Sequence, residues 1–248
     1  MTSTKDTFSF KAVLPKLPQG EPLSSQALRL HGLSKFHAPW LARHGWLRRL
    51  GRDAYIGPSD KLTREGALAF LSARIPGFHV GGKTALAWRG VRHNVAVKER
   101  LTLWGDQPVR LPAWFTARFD AHFQVTNLFD ESMPKSLGLQ PLPGGRPEIL
   151  VSVPERALLE LLSDVGKTES LEEAGHLVES IRSLREEVLD ELLAHIKRIK
   201  VVRLAEKFAA DADLPWASVA RTHSKRLGGG ARWIAVSKSG ERLDLRRR

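Results

Sequence analysis

The sequence contains a segment whose residue types and spacing could bind a nucleotide phosphate. Residues 77–84 read Gly-Phe-His-Val-Gly-Gly-Lys-Thr and match the P-loop pattern G-x-x-x-x-G-K-[ST] at each fixed position. A P-loop follows a buried strand, whereas the residues before this segment have a helical pattern that ends at Pro76. We therefore expect a helix start here and a structural role for Lys83. The alternative is a nucleic-acid-dependent nucleotide-binding enzyme that uses Gly82, Lys83 and Thr84.

The other residues with catalytic or metal-binding potential lack a convincing arrangement. Asp211 and Asp213 resemble a paired-carboxylate metal site, but they end a helical segment and no third strand carboxylate accompanies them. The nine histidines lack the spacing of metal ligands, and the absence of cysteine excludes zinc fingers, disulfides and a thiol nucleophile. Ser152 and Ser170 are interpreted as helix caps, since each precedes a glutamate by three residues. We expect no catalytic residues, no metal and no cofactor.

The basic residues are concentrated at the two ends of the chain. The 248 residues carry a formal charge of +12, divided as +6 in residues 1–58, −1 in residues 59–214 and +7 in residues 215–248. This distribution predicts two electropositive surfaces and a polyanionic partner, foremost nucleic acid. No stretch approaches the roughly 20 apolar residues of a membrane-spanning helix, so we expect a cytoplasmic protein with no membrane partner.

The first basic region has the pattern of a winged helix-turn-helix. A short helix is predicted to end at Gly32, and a second helix is predicted from a cap at Ser34 to Gly45. Two strand-like runs, residues 46–50 and 54–56, flank a turn and predict a basic hairpin, or wing. In such a module the second helix enters the major groove of DNA and the wing contacts the phosphates.

The residues of this module divide into a predicted core and a predicted DNA-binding face. Pro39 lacks a backbone donor, so the second helix is expected to begin later than Ser34 or with an irregular turn. The expected core residues are Leu33, Phe36, Trp40, Leu41, Trp46 and Tyr55. The expected DNA-binding residues are Ser34, Lys35, His37, Arg43, Arg48, Arg49 and Arg52, with Asp53 as the opposing acidic residue.

The remainder of the chain has the mixed pattern of an α+β domain. Helical segments give way to alternating segments between residues 101 and 128, typical of half-exposed antiparallel strands, and then to a helical C-terminal half. We predict an arm over residues 1–22, a winged helix-turn-helix over 23–60 and a larger α+β domain over 61–248. In its basic C-terminal segment we expect a second basic surface, formed by Arg221, Lys225, Arg226 and Arg232.

The order of these segments resembles the AbiEi family, the antitoxins of the AbiE type IV toxin–antitoxin systems. The residues that carry the likeness read LRLHGLSKFHAPWLARHGWLRRLGRDAYIGP, HVGGKTALAWRGV, LPAWF, ILVSVPERALLELL, KVVRLAEKFA and LGGGARW. In that family the P-loop-like segment is a structural helix start, GG-x-[ST]-A-L, which is matched here by Gly81, Gly82, Thr84, Ala85 and Leu86.

The resemblance implies a transcriptional autorepressor and antitoxin that acts in abortive infection, a form of phage defence. The winged helix of such proteins represses its own operon by binding inverted repeats in double-stranded operator DNA. The C-terminal domain neutralises a co-encoded nucleotidyltransferase-like toxin, directly or indirectly. The resemblance further implies that the protein is not an enzyme, and it is compatible with a monomer in solution that binds DNA cooperatively.

Overall fold

The computed structural model describes residues 13–33, 36–92, 99–125 and 127–227, and two further strands at 232–236 and 242–246. Its helices in chain order are α1 (Ser25–Leu30), α2 (His37–Arg43), α3 (Arg64–Ser72), α4 (Gly82–Trp88), α5 (Ala113–Thr116), α6 (Pro154–Asp164), α7 (Leu171–Glu179), α8 (Glu186–Ala194), α9 (Ile199–Asp211) and α10 (Ala217–Leu227), with a short 3-10 helix at Leu14–Lys16. Its strands are β1 (Arg48–Gly51), β2 (Ala54–Ile56), β3 (His79–Val80), β4 (Leu101–Gly105), β5 (Ala121–Val125), β6 (Leu139–Gln140), β7 (Val151–Ser152), β8 (Arg232–Val236) and β9 (Arg242–Arg246).

The chain forms two compact units. Unit 1 comprises the residues up to Arg74 together with Leu111–Phe119, and unit 2 comprises Ile75–Arg110 and the residues from Asp120 onward. Unit 1 is therefore larger than the predicted module of residues 23–60, because α3 and α5 also belong to it. The predicted boundary near residue 60 separates functions, whereas units 1 and 2 are defined by packing. That boundary therefore stays a prediction.

Unit 1 contains the helix-turn-helix and the wing. Ser24 caps α1 by accepting a hydrogen bond from the N–H of Ala27, and α1 ends before Gly32, whose φ of +81° only glycine adopts at little cost. The wing is the antiparallel pair β1–β2. The core residues on which these elements pack are Leu28, Leu33, Ala38, Leu41, Leu47 and Tyr55, with Trp46 partly buried against them.

Two predictions about α2 are wrong. Phe36 and Trp40 were expected in the core, but they are 74% and 47% exposed. The buried face is instead that of Ala38 and Leu41, which are three residues apart, and Phe36 lies ahead of the first turn of α2, which begins at His37. The late start agrees with the effect expected of Pro39, which occupies the third helical position, where an N–H has no partner within the helix.

Unit 2 is built on a five-stranded sheet of order β5-β4-β3-β7-β6. The pairs β3–β4 and β6–β7 are antiparallel, whereas β3–β7 and β4–β5 are parallel, so the sheet is mixed. The antiparallel arrangement expected for the segments between residues 101 and 128 is therefore wrong for β4 and β5, because a parallel pair requires a crossover that short alternating segments do not reveal. Strands β8 and β9 form a separate antiparallel pair.

Helix α6 is the central element of unit 2. Its residues from Glu155 to Asp164 are buried, and α4, α8 and α9 pack around it. The predicted cap at Ser170 is confirmed, since its hydroxyl accepts from the N–H of Glu173 at 3.1 Å. The predicted cap at Ser152 is wrong: α6 begins at Pro154, and the Ser152 hydroxyl donates to the Glu160 carboxylate at 2.8 Å.

Candidate nucleic-acid interface

The solvent face of α2 carries aromatic and basic side chains together. Ala38 and Leu41 hold the helix on the core of unit 1, which leaves Phe36, Trp40 and Arg43 exposed. The rings of Trp40 and His44 stack with their centroids 4.1 Å apart. Because the second helix of a helix-turn-helix presents its outer face to DNA, these side chains lie where base edges would be read.

The wing exposes two consecutive basic residues at the start of its first strand. Arg49 pairs with Tyr55 across the hairpin, and the register shifts between Arg49 and Gly51. Strand β2 is buried throughout, whereas Arg48 and Arg49 on β1 are exposed. A side chain at Gly51 would meet the Trp114 ring at 2.9 Å, so this ring lies directly against the wing backbone.

Asp53 anchors the tip of the wing. Its backbone is left-handed, with a φ of 51°, and its carboxylate accepts from the N–H of Ser25 at 2.7 Å and pairs with Arg74. Burial alone would raise the pKa of this carboxyl, but the Ser25 and Arg74 contacts more than offset it and the pKa is lowered. Asp53 therefore holds the wing tip against α1, and the positive charge of Arg74 balances its negative charge.

A cleft beside the wing contains basic residues that the sequence did not reveal. It has a volume of about 440 Å³ and is lined in part by Arg48, Lys61, Trp114 and Arg118. Arg48 donates to the carbonyl of Asp60 at 2.6 Å and Arg118 to that of Leu62 at 3.2 Å. These contacts hold the two guanidinium groups at the cleft walls. Arg118 follows the end of α5, about 60 residues beyond the wing, which explains why sequence patterns missed it.

The predicted DNA-binding residues that the structure describes lie on two elements of unit 1, α2 and the wing. Ser34 and Lys35 lie outside the described residues. The remaining predicted residues are all exposed on α2 or the wing and are His37, Arg43, Arg48, Arg49 and Arg52.

The P-loop-like segment in unit 2 is filled by the protein's own side chains. The N–H of Gly82 donates to the Glu160 carboxylate at 2.9 Å, and a Cβ at Gly81 would overlap that same carboxylate. Lys83 pairs with Glu173 and lies 3.7 Å from Glu169. Two of the groups that would hold a phosphate in a P-loop, the Gly82 N–H and the Lys83 ammonium, thus contact carboxylates of the protein, which agrees with the structural role expected for Lys83.

Glu160 is the centre of a buried polar network in unit 2. Its carboxylate also accepts from Arg156 at 2.9 Å and lies 3.0 Å from the Nε2 atom of His79. Burial opposes ionisation of Glu160, but His79, Arg156 and the Gly82 N–H outweigh it and lower the pKa to about 2. The donors of His79, Gly82, Ser152 and Arg156 therefore tie β3, β7 and the start of α4 to α6.

The predicted second basic surface includes residues with different structural roles. Arg221 and Lys225 are one helical turn apart on α10 and both are exposed, with Arg221 lying 3.7 Å from Glu206. Arg226 instead donates to the carbonyls of Leu193 and Ala194, both at 2.9 Å, and so caps the end of α8. Arg232 begins β8, opposite Arg246.

Within the residues described above, no group of three or more acidic or histidine side chains is arranged to hold a metal ion. The same part of the chain has no helix that is long and apolar enough to cross a membrane.

The helix-turn-helix with its wing places unit 1 in the class of winged-helix proteins. The chain belongs to the AbiEi family of transcriptional regulators, antitoxins of type IV toxin–antitoxin systems. A model of the AbiEi antitoxin N-terminal domain matches residues 7–97, and a model of the AbiEi antitoxin transcriptional regulator matches residues 98–246. No curated protein matches the sequence.

The fold is similar to that in the crystal structure of the RV2827C protein from Mycobacterium tuberculosis. The superposition has a TM-score of 0.57 and covers 89% of this chain and 80% of that chain, with 14% sequence identity. At this identity the likeness concerns the fold alone.

Proposed function

We propose that this protein is a DNA-binding autorepressor and antitoxin that neutralises a co-encoded nucleotidyltransferase-like toxin. Unit 1 binds inverted repeats in the operator of its own operon, as a monomer in solution that binds cooperatively to adjacent half-sites. The protein acts in the cytoplasm, in abortive infection, without a cofactor or catalytic activity of its own.

The observation that supports this proposal is the joint exposure of basic residues on α2 and the wing. Arg43 lies on the outer face of α2, and Arg48, Arg49 and Arg52 lie on the hairpin that follows it. A winged helix uses these two elements to reach the bases and the phosphates respectively. Membership of a family of transcriptional regulators supports the same function.

The experiment that tests DNA binding is a titration of the full-length protein with the region upstream of its own gene at several salt concentrations. If about five cations meet phosphates, log affinity should fall against log salt with a slope of about −4 to −5. Reversal of Arg49 and Arg52 to glutamate should weaken binding to all duplexes and flatten this slope.

A matched control separates local contact from net charge. Reversal of Arg182 and Lys197, two exposed cations of unit 2, changes the total charge equally. This control should bind DNA far better than the wing variant. Equal binding by the two variants, or undiminished binding by the wing variant, contradicts the assignment of the wing.

Toxin neutralisation is supported by the family to which the chain belongs and is tested in cells. Expression of the neighbouring toxin gene should arrest growth, and co-expression of this protein from an unrelated promoter should restore it. The unrelated promoter matters because repression of the operon could otherwise mimic neutralisation. Continued arrest in the presence of folded protein contradicts the antitoxin function and leaves the repressor function intact.

A further inference from the structure

The exposed aromatic side chains of Trp40 on α2 and of Phe36 just before it are unusual for the outer face of a small helix. Phe36 and Trp40 are 74% and 47% exposed, although large aromatic side chains are usually among the more buried ones. The helix does not need them for packing, since Ala38 and Leu41 already hold it on the core. Their exposure therefore calls for a partner that covers them.

The surroundings of these aromatic side chains favour a polyanion with an apolar component. Arg43 and His44 are exposed at the end of the same helix, and the basic wing follows within a few residues. A purely apolar partner would have to cover these charges, whereas DNA pairs its phosphates with them. In the major groove, the apolar group on the base edges is the C5-methyl of thymine.

We propose that Trp40 and Phe36 read thymine methyl groups in the major groove, so that the operator half-site is selected partly by apolar contact. This inference rests on the proposed function of unit 1 as a DNA-binding module. Trp40 is positioned for the contact by its stacking on His44, whose Nδ1 atom lies 2.8 Å from the Trp40 carbonyl. The arrangement makes Trp40 a specificity-determining residue and leaves phosphate binding to the wing.

The test replaces thymine by uracil, which removes the methyl group and leaves base pairing unchanged. The half-site is first located by footprinting on the upstream DNA, and each thymine in it is then replaced singly. Affinity of the wild-type protein should fall about fourfold at one or more positions, the factor expected for one buried methyl-sized group. Trp40→Ala should bind the thymine site more weakly, lose the preference for thymine at those positions, and keep the wild-type salt slope.

Leu30→Ala is the matched control. Leu30 is 86% exposed and lies at the end of α1, outside the outer face of α2, so its removal should leave the thymine preference intact. Phe36→Ala provides a second variant on the proposed face, in case thermal unfolding shows that Trp40→Ala is destabilised. Either variant should reduce discrimination between thymine and uracil.

The outcomes separate this inference from the proposed function. A sequence-specific footprint with no sensitivity to uracil overturns the inference and leaves the repressor function in place. The same holds if both aromatic variants keep the full thymine preference. A concentration-dependent dimer without DNA that Trp40→Ala dissociates, with unchanged discrimination, assigns the face to a second copy and also overturns it. The absence of any specific footprint contradicts the proposed function itself.

Discussion

Gly82 and Glu160 are joined by a hydrogen bond of 2.9 Å from the glycine N–H to the buried carboxylate, across 78 residues of sequence. The contact places a carboxylate of the protein at the start of α4, where a P-loop would place a phosphate. Residues 77–84 therefore resemble a P-loop in that a backbone N–H donates to an anion, but here the anion is the carboxylate of Glu160.

The first prediction is that the protein does not bind ATP. Titration calorimetry of the full-length protein with ATP and magnesium should show no heat of binding, because Glu160 and the acidic partners of Lys83 occupy the positions of the phosphates. Micromolar binding that Lys83→Ala abolishes would contradict this prediction and favour the nucleotide-binding enzyme instead.

The second prediction concerns the stability contributed by Glu160. Glu160→Gln should lower the free energy of unfolding by about 3–5 kcal/mol, because it leaves the buried Arg156 guanidinium without its counter-ion. The pKa of Glu160 is lowered from 4.5 to about 2, so the contribution is present above pH 4.5 and is lost as the pH falls toward 2. Urea denaturation of both proteins between pH 3 and pH 7 measures this.

A control variant tests whether the effect comes from the buried pair. Glu65→Gln removes a carboxylate that is half exposed and pairs with the partly exposed Arg64, and it should change the free energy of unfolding by less than about 1 kcal/mol. Comparable losses in the two variants would show that burial of the Glu160 network contributes little.

Asp164 is a buried carboxyl whose pKa is raised, in contrast to the lowered pKa of Glu160. It is 3% exposed, one oxygen accepts from the amide of Gln124, and the other has no hydrogen-bond partner within the described residues. Burial raises its pKa from 3.8 to about 6, an effect that Gln124 and Lys167 offset only in part. Ionised Asp164 therefore destabilises the fold at neutral pH.

The third prediction follows from this raised pKa. Stability due to Asp164 is fully present below pH 3.8 and is lost as the pH rises through 6. Asp164→Asn should remove that loss and increase the free energy of unfolding at pH 7.5 by about 1–3 kcal/mol. The gain should vanish near pH 4. A gain that does not depend on pH, or a loss at pH 7.5, would refute the assignment.

The fourth prediction separates binding from capping in the second basic surface. Lys225→Ala should leave thermal stability unchanged, since this side chain is exposed on α10, whereas Arg226→Ala should lower it by removing the cap on the carbonyls of Leu193 and Ala194. The expected loss is about 1–2 kcal/mol by urea denaturation. Equal stability of the two variants contradicts the capping role.

The fifth prediction concerns the function of that surface. Neutralising Arg221, Lys225 and Arg232 together should leave the fold intact and reduce operator affinity, toxin neutralisation or both. Operator titrations and growth rescue measure the two effects on one variant. Wild-type affinity, salt slope and rescue in a well-folded triple variant would show that this charge has no binding role.

Elements whose signals are local were predictable from the sequence. Ser170 caps its helix as its spacing indicates, and the hairpin turn at Arg52 and Asp53 follows from residue types adjacent in the chain. The exposed basic residues of the wing were found for the same reason, since Arg48, Arg49 and Arg52 lie within five residues of one another in the chain. Local patterns therefore predicted the module that carries the candidate site.

Features that depend on distant residues were not predictable. Ser152 has the spacing of a capping box, yet its hydroxyl donates to Glu160. A buried carboxylate without hydrogen-bond donors costs more free energy than an uncapped helix start, so this contact is favoured. Arg118, just beyond α5, lines the cleft beside the wing, and no periodicity near the wing indicates it. The prediction for Trp40 is wrong because hydrophobicity alone predicts burial, whereas the face of α2 that packs on the core is that of Ala38 and Leu41.

The anchoring of Asp53 to Ser25 and Arg74 also bears on the thermodynamics of binding. A hairpin that orders only in a complex loses about 1–2 kcal/mol of backbone entropy per residue at the moment of association. Since these contacts already hold the wing tip in the free protein, this entropy is lost during folding and not during association. The heat capacity of association should then reflect only the surface covered by the partner, and the association rate should be limited by diffusion and orientation rather than by loop ordering.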